Sequence, residues 1–306
     1  MKFSLLVFLI IFSILIIFPT ASGQISNEES KQKSIEVTIN SVGDVHATHV
    51  IYPMDSPSEI KLIDGEKSNL KVKDEEGNDM KYDSIGKNES LMIFPSEEFV
   101  VVDYDVKDQL QLIDNVWTWD FLYLESTIFV LPEQVDLVFV NERPVYLGEA
   151  KGITCHGCQM ILEYSLDEPK ILEEINIQDM RFLIETRTWA EKNPIRFDPA
   201  VEGINFEILE KNRFVTMTIP VDLLSEPYQV FLNGEKIFFH DYFNNGTHVW
   251  LNMKPKNSGE ISITGTLSPE ITVDTPQPEF PFEYVIVGLI IIGIVIISVI
   301  FYSRKK

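Results

Sequence analysis

Cysteine is nearly absent from this chain, with two in 306 residues, and the five histidines are scattered. A structural zinc site draws on four ligands, usually two Cys or His pairs, and one Cys pair does not supply them. Basic charge is also scarce, since 25 Lys and Arg face 47 Asp and Glu for a net charge of −22. That balance excludes nucleic-acid binding, where affinity comes from neutralising phosphates. It repels anionic membrane surfaces and favours divalent cations or basic partners. No G-x-S-x-G, H-E-x-x-H, P-loop or G-x-G-x-x-G sequence occurs, which removes the common nucleophile, zinc-hydrolase and nucleotide signatures. Carboxylates are so abundant that no pair stands out as a glycosidase acid and base. "DEEGND" and "DYDVKD" lack the spacing of a calcium loop. A non-enzymatic protein without a cofactor is the expectation.

The two ends carry the long apolar runs. Residues 1–23 have one cation at Lys2, an uncharged run from Phe3 to Phe18, then Pro19 and the small residues Ala21, Ser22 and Gly23. This is the layout of a secretory signal peptide cleaved before Gln24, with an uncleaved anchor as the alternative. No charge interrupts Tyr284 to Tyr302, and as a helix the run would be about 28 Å long, the thickness of a bilayer core. Residues 303–306 end in Arg304, Lys305 and Lys306, a cytoplasmic stop under the positive-inside rule. The expected topology is a single-pass cell-membrane protein with its ectodomain outside.

Residues 269–283, with Pro269, Pro276, Pro278 and Pro281, are expected to form a semi-rigid stalk. Pro278-Glu279-Phe280, the apolar span and the basic end together resemble the PEFG-type C-terminal sorting signals of archaeal surface proteins. Pro281 stands where that pattern has glycine. The resemblance covers the tail alone and implies a cell-surface protein, retained by its anchor or processed by a sorting enzyme. The short β-hairpins of the ectodomain are similar in style to those of uncharacterised archaeal surface proteins.

Between the ends the pattern is β. Residues 24–33 are polar and expected to be flexible. Ile35, Val37 and Ile39 alternate with Glu36, Thr38 and Asn40, and a β-rich run resumes beyond "SVGD", a hairpin signal. Repeated strand patterns with little room for helices predict two β-sandwich domains, Ig-like or Greek-key, over 34–167 and 180–268. Residues 168–179 contain Pro169 without clean alternation and read as a linker, "VDLLSEP" reads as a short helix, and "LNGEK" as a hairpin turn.

The most specific chemistry lies in "ITCHGCQM", with Cys155 and Cys158. Haem attachment needs histidine after the second cysteine, but Gln159 is there. In an exported setting the pair reads as a disulfide closing a hairpin whose turn is His156-Gly157. The alternative is a copper or zinc clip using Cys155, Cys158 and His156, and a redox pair ranks third. In "HATH", strand periodicity puts His46 and His49 on opposite faces. Trp117, Trp119, Phe121 and Tyr123 share one strand face, either as core or as an interaction face for a glycan or protein. Asn88 and Asn245 open N-glycosylation sequons. These features predict a membrane-anchored adhesion, envelope or binding module. An extracytoplasmic metal-binding protein and an anchored hydrolase are the alternatives.

Overall fold

A computed structural model describes residues 30–269 and 271. The expected signal peptide, most of the expected stalk, the apolar run from Tyr284 and the basic end lie outside the described residues. The described chain is mainly β, with multiple sheets and no helix, and no described helix is long and apolar enough to cross a membrane. It divides into two compact units between Leu166 and Asp167.

The first unit contains β1 (Gln32–Ile39), β2 (Val45–Ile51), β3 (Ser58–Lys61), β4 (Glu66–Asp74), β5 (Tyr82–Ile85), β6 (Ser90–Ile93) and β7 (Val100–Lys107). It continues with β8 (Gln111–Ile113), β9 (Val116–Tyr123), β10 (Thr127–Val130), β11 (Leu137–Val140), β12 (Arg143–Tyr146), β13 (Gly152–Cys155) and β14 (Cys158–Tyr164). Three sheets result, ordered β13-β10-β1-β2-β7-β4, β12-β11-β14-β9-β8 and β3-β6-β5. The β1–β2 hairpin forms as its alternation predicts, with Val37 opposite Ala47. β1 begins at Gln32, inside the segment expected to be flexible, because Gln32 pairs with Ile51. β1 and β10 run parallel, Val37 opposite Phe129.

One core joins the three sheets, through Ile35, Val37 and Phe129 of the first, Trp119, Phe121 and Leu162 of the second, and Ile60, Leu91 and Ile93 of the third. Trp119, Phe121 and Phe129 meet edge to face, with ring centroids 4.8 to 5.9 Å apart. Each such large apolar side chain stabilises by about 2–3 kcal/mol on burial, and the edge-to-face geometry adds to it.

The second unit contains β15 (Lys170–Ile177), β16 (Met180–Arg187), β17 (Arg196–Asp198), β18 (Gly203–Ile208) and β19 (Val215–Pro220). β20 (Leu224–Leu232), β21 (Glu235–Lys236), β22 (His240–Asn244), β23 (His248–Met253) and β24 (Gly259–Leu267) complete it. Its two sheets are ordered β15-β16-β19-β23-β22 and β17-β18-β24-β20-β21, and both contribute to one core.

Three local expectations are corrected here. Residues 168–179 are no linker, because β15 pairs along its length with β16. Its alternation is confined to the end, where Ile175 and Ile177 are buried while Ile171 and Leu172 are exposed. Glu173 further ties it to the following loop, accepting a hydrogen bond from Ile195 N at 2.9 Å and pairing with the buried ammonium of Lys192. "VDLLSEP" turns directly into β20, since Leu223 and Leu224 are both fully buried. Ile271, placed in the stalk by composition, packs into this unit's core.

Candidate functional site

The C-x-x-C motif does not close a hairpin. Cys155 ends β13, opposite Thr127 of β10, whereas Cys158 begins β14, opposite Tyr123 of β9. The motif is therefore a corner at which the chain leaves one sheet for another. The flanks read as strands correctly, but their partners are distant segments, which short-range alternation does not encode.

Residues Leu124 to Ser126 make a second corner beside it, between β9 and β10. The two corners touch: Ser126 Oγ lies 2.8 Å from His156 Nδ1. Gly157 has a φ of +57°, and a Cβ there would sit 2.7 Å from the Leu124 carbonyl oxygen. Glycine is thus required both by the left-handed backbone and by the close approach. No cysteine among the described residues is a free thiol.

The aromatic stripe on β9 shares one face, as period-2 geometry dictates. That face is the core and not an interaction surface: Trp119, Phe121 and Tyr123 are buried, and Trp117 packs half-buried against them. Sheet closure decides this, because Phe129 fills the space opposite. Tyr123, the last residue of the stripe, opens a buried polar network.

His49 and His46 do face opposite sides of β2. His49 is fully buried, with Nδ1 2.7 Å from Gln32 Oε1 and Nε2 2.8 Å from the Tyr104 hydroxyl. The tautomer follows from the far end of the network. The Lys61 carbonyl can only accept, so the Tyr123 hydroxyl donates to it. Tyr123 then accepts from Gln32 Nε2 at 3.2 Å, which leaves Gln32 Oε1 to accept from His49 Nδ1–H. His49 Nε2 must therefore accept from Tyr104 O–H, whose oxygen in turn accepts from Ile63 N–H at 2.9 Å. Each ring nitrogen and hydroxyl in this line is satisfied. Burial pushes the His49 pKa down to about 3, and pushes that of Tyr104 upward. Neutral, enclosed and fully bonded, His49 holds Tyr104 and Tyr123 in register and is not a proton-transfer group near neutral pH. The ring stacks on Tyr104 at 5.5 Å and meets Tyr123 edge-on at 5.9 Å.

In front of this network lies a cleft of about 240 Å³. Gln32 and Tyr123 lie on its network side, Ile60, Leu122 and Leu124 supply apolar wall, and Ser30, Glu59, Lys61 and Glu125 supply polar groups. Three segments distant in sequence build it, from β1, β3 and the β9–β10 corner. Leu124 connects it to the C-x-x-C motif, since the carbonyl against Gly157 belongs to a residue lining the cleft. Alternation alone offers no signal for this site beyond the polar Gln32 and His49 on strands.

The remaining candidate residues are dispersed. His46 is half exposed and sits 2.8 Å from Asp105 Oδ1. Hydrogen bonds from His46 and Asn69 hold the Asp105 carboxyl below the usual carboxylate range. His240 and His248 start β22 and β23. Asn88 lies at the β5–β6 tip, and Asn245 between β22 and β23. Among the described residues no three His, Cys, Asp or Glu side chains are grouped to hold a metal ion.

No protein-family model and no curated protein matches the chain. Among solved structures, the crystal structure of an aminopeptidase N family protein from Idiomarina loihiensis is similar at 11% identity and a TM-score of 0.33, over 48% of this chain and 31% of that chain. A likeness of that size carries no argument about fold or chemistry.

Proposed function

We propose that the chain is a surface-displayed, non-enzymatic binding module, exported by its N-terminal signal and held in the membrane by its C-terminal apolar span. In this reading each unit is a β-sandwich, and the first presents the cleft beside Tyr123 to a small ligand. The observation that carries the reading is the cleft's construction. A closed hydrogen-bond line from Ile63 to Lys61 fixes Gln32 and Tyr123 along one side of it. Preorganised polar groups beside apolar wall favour binding, because less side-chain entropy is lost when the ligand arrives. The histidine behind the cleft has no free nitrogen to offer as a base, which supports binding over hydrolysis.

Cys155 and Cys158 act here as a disulfide that stiffens the sheet-to-sheet corner against Leu124, as an oxidising compartment favours. The alternative metal clip would have to share His156 with Ser126. The test is a thermal-shift screen of the purified full-length protein in detergent against small amines, sugars and short peptides. Hits are expected to lose their effect in Leu124→Asp. A screen without hits, or hits unaffected by that substitution, overturns the cleft assignment. Biotin labelling of intact cells tests the topology independently.

A further inference from the structure

The hairpin of β22 and β23 carries an exposed aromatic face. Phe243 lies opposite Trp250, with ring centroids 4.9 Å apart, and Phe243 remains 41% exposed. The His248 ring lies 6.3 Å from Trp250. The same register continued by one rung sets Asn245 opposite His248, and Asn245 N donates to the His248 carbonyl at 3.2 Å. Side chains two apart on a strand share a face, so Asn245, Phe243, His248 and Trp250 stand on one side of the hairpin end. The sequon Asn245-Gly246-Thr247 thus projects from an aromatic platform.

The loop also presents the acceptor group. Asn245 Oδ1 accepts from Thr247 N at 3.0 Å, Thr247 Oγ1 at 2.9 Å and His248 N at 2.8 Å. Its oxygen is therefore committed to the turn while the nitrogen is not, and the hydroxyl required at the third sequon position already lies on the carboxamide. Gly246, with a φ of +86°, permits the reversal. The other sequon, at Asn88, lacks the contact between the carboxamide and its own third-position hydroxyl. Asn88 Oδ1 is taken by Ser84 Oγ, and its third-position residue Ser90 is buried within β6.

We propose that Asn245, and not Asn88, carries an N-linked glycan whose first sugar packs its C–H face on Phe243 and Trp250. The attachment forms a bond from Asn245 Nδ2 to C1 of the sugar of a polyisoprenyl-diphosphate-linked oligosaccharide. The C1–O bond to phosphate breaks, the electron pair leaves on the phosphate oxygen, and one amide proton passes to a base. Sugar C–H groups bear partial positive charge and the faces of aromatic rings partial negative charge, so the covered rings lose exposed apolar area and gain a favourable contact. The glycan then stabilises the second unit as well as covering it.

This rests on the exported topology, which biotin labelling of intact cells reports separately. The protein is purified full-length from its native membranes and its glycopeptides are examined by mass spectrometry. The expected result is a hexose- or hexosamine-initiated glycan at Asn245 and an unmodified Asn88. Removing the glycan is expected to lower Tm by roughly 2 to 5 °C, and Phe243→Leu, still glycosylated, is expected to lose most of that drop. An unmodified Asn245 on protein that labels from outside overturns the site. An equal drop in Phe243→Leu overturns the stacking. Protein that does not label from outside overturns the exported topology, and the glycan with it.

Discussion

Acid should destabilise the first unit, and His49 supplies the part of that loss that begins near pH 6.5. Its pKa is about 3 in the folded protein against 6.5 for a free side chain. Above pH 6.5 neither state binds the proton, and stability is unaffected by this group. Between 6.5 and 3 the unfolded chain binds a proton that the folded chain refuses, so stability falls as pH falls. Below about 3 both states are protonated and the contribution levels off. One proton of difference corresponds to a slope of about 1.4 kcal/mol per pH unit. Lowering the pH from 6.5 to about 4.5 should therefore cost about 2–3 kcal/mol, a sizeable share of the roughly 5–15 kcal/mol that holds a domain folded. The physical source is burial, which disfavours the charged imidazolium, and protonating Nε2 also removes the acceptor of the Tyr104 O–H. Urea unfolding at a series of pH values, followed by tyrosine and tryptophan fluorescence, measures the slope. His49→Gln removes the titration, so its slope between pH 6.5 and 5 should be shallower by about one proton. An unchanged slope in that variant, or a His49 ring that titrates near 6.5 in the folded protein, refutes the reasoning.

Two further outcomes follow from single contacts. Glu173→Ala should cost about 3–5 kcal/mol in urea unfolding of the second unit, because it leaves the Lys192 ammonium, 3% exposed, buried without its partner. A loss below 1 kcal/mol would mean that Lys192 reaches water. Gly157→Ala forces a Cβ towards the Leu124 oxygen at a positive φ, and should cost about 1–3 kcal/mol in thermal unfolding. It should also weaken any ligand found for the cleft, whereas an unchanged melt would show that the two corners move apart freely.

The β character of the chain was legible because alternation is a property of covalent geometry, read two residues at a time. It placed β1 and β2 as a hairpin, put His46 and His49 on opposite faces, and set the β9 aromatics on one face. β15 escaped because its exposed half carries Ile171 and Leu172, which alternation reads as noise. The cleft escaped because its walls come from residues 30–32, 59–61 and 122–125, which nothing local connects.

The sequence by itself thus determined the mainly β character of the chain and which side chains of β1, β2 and β9 share a face. Tertiary structure alone decided which sheet each strand joined. It sent Cys155 and Cys158 into different sheets, turned the aromatic stripe inward against Phe129, and gathered Gln32, His49, Tyr104 and Tyr123 into one network. The reason is that strand partners are selected by packing between segments far apart in the chain. A strand carries the same local pattern whichever neighbour it finds.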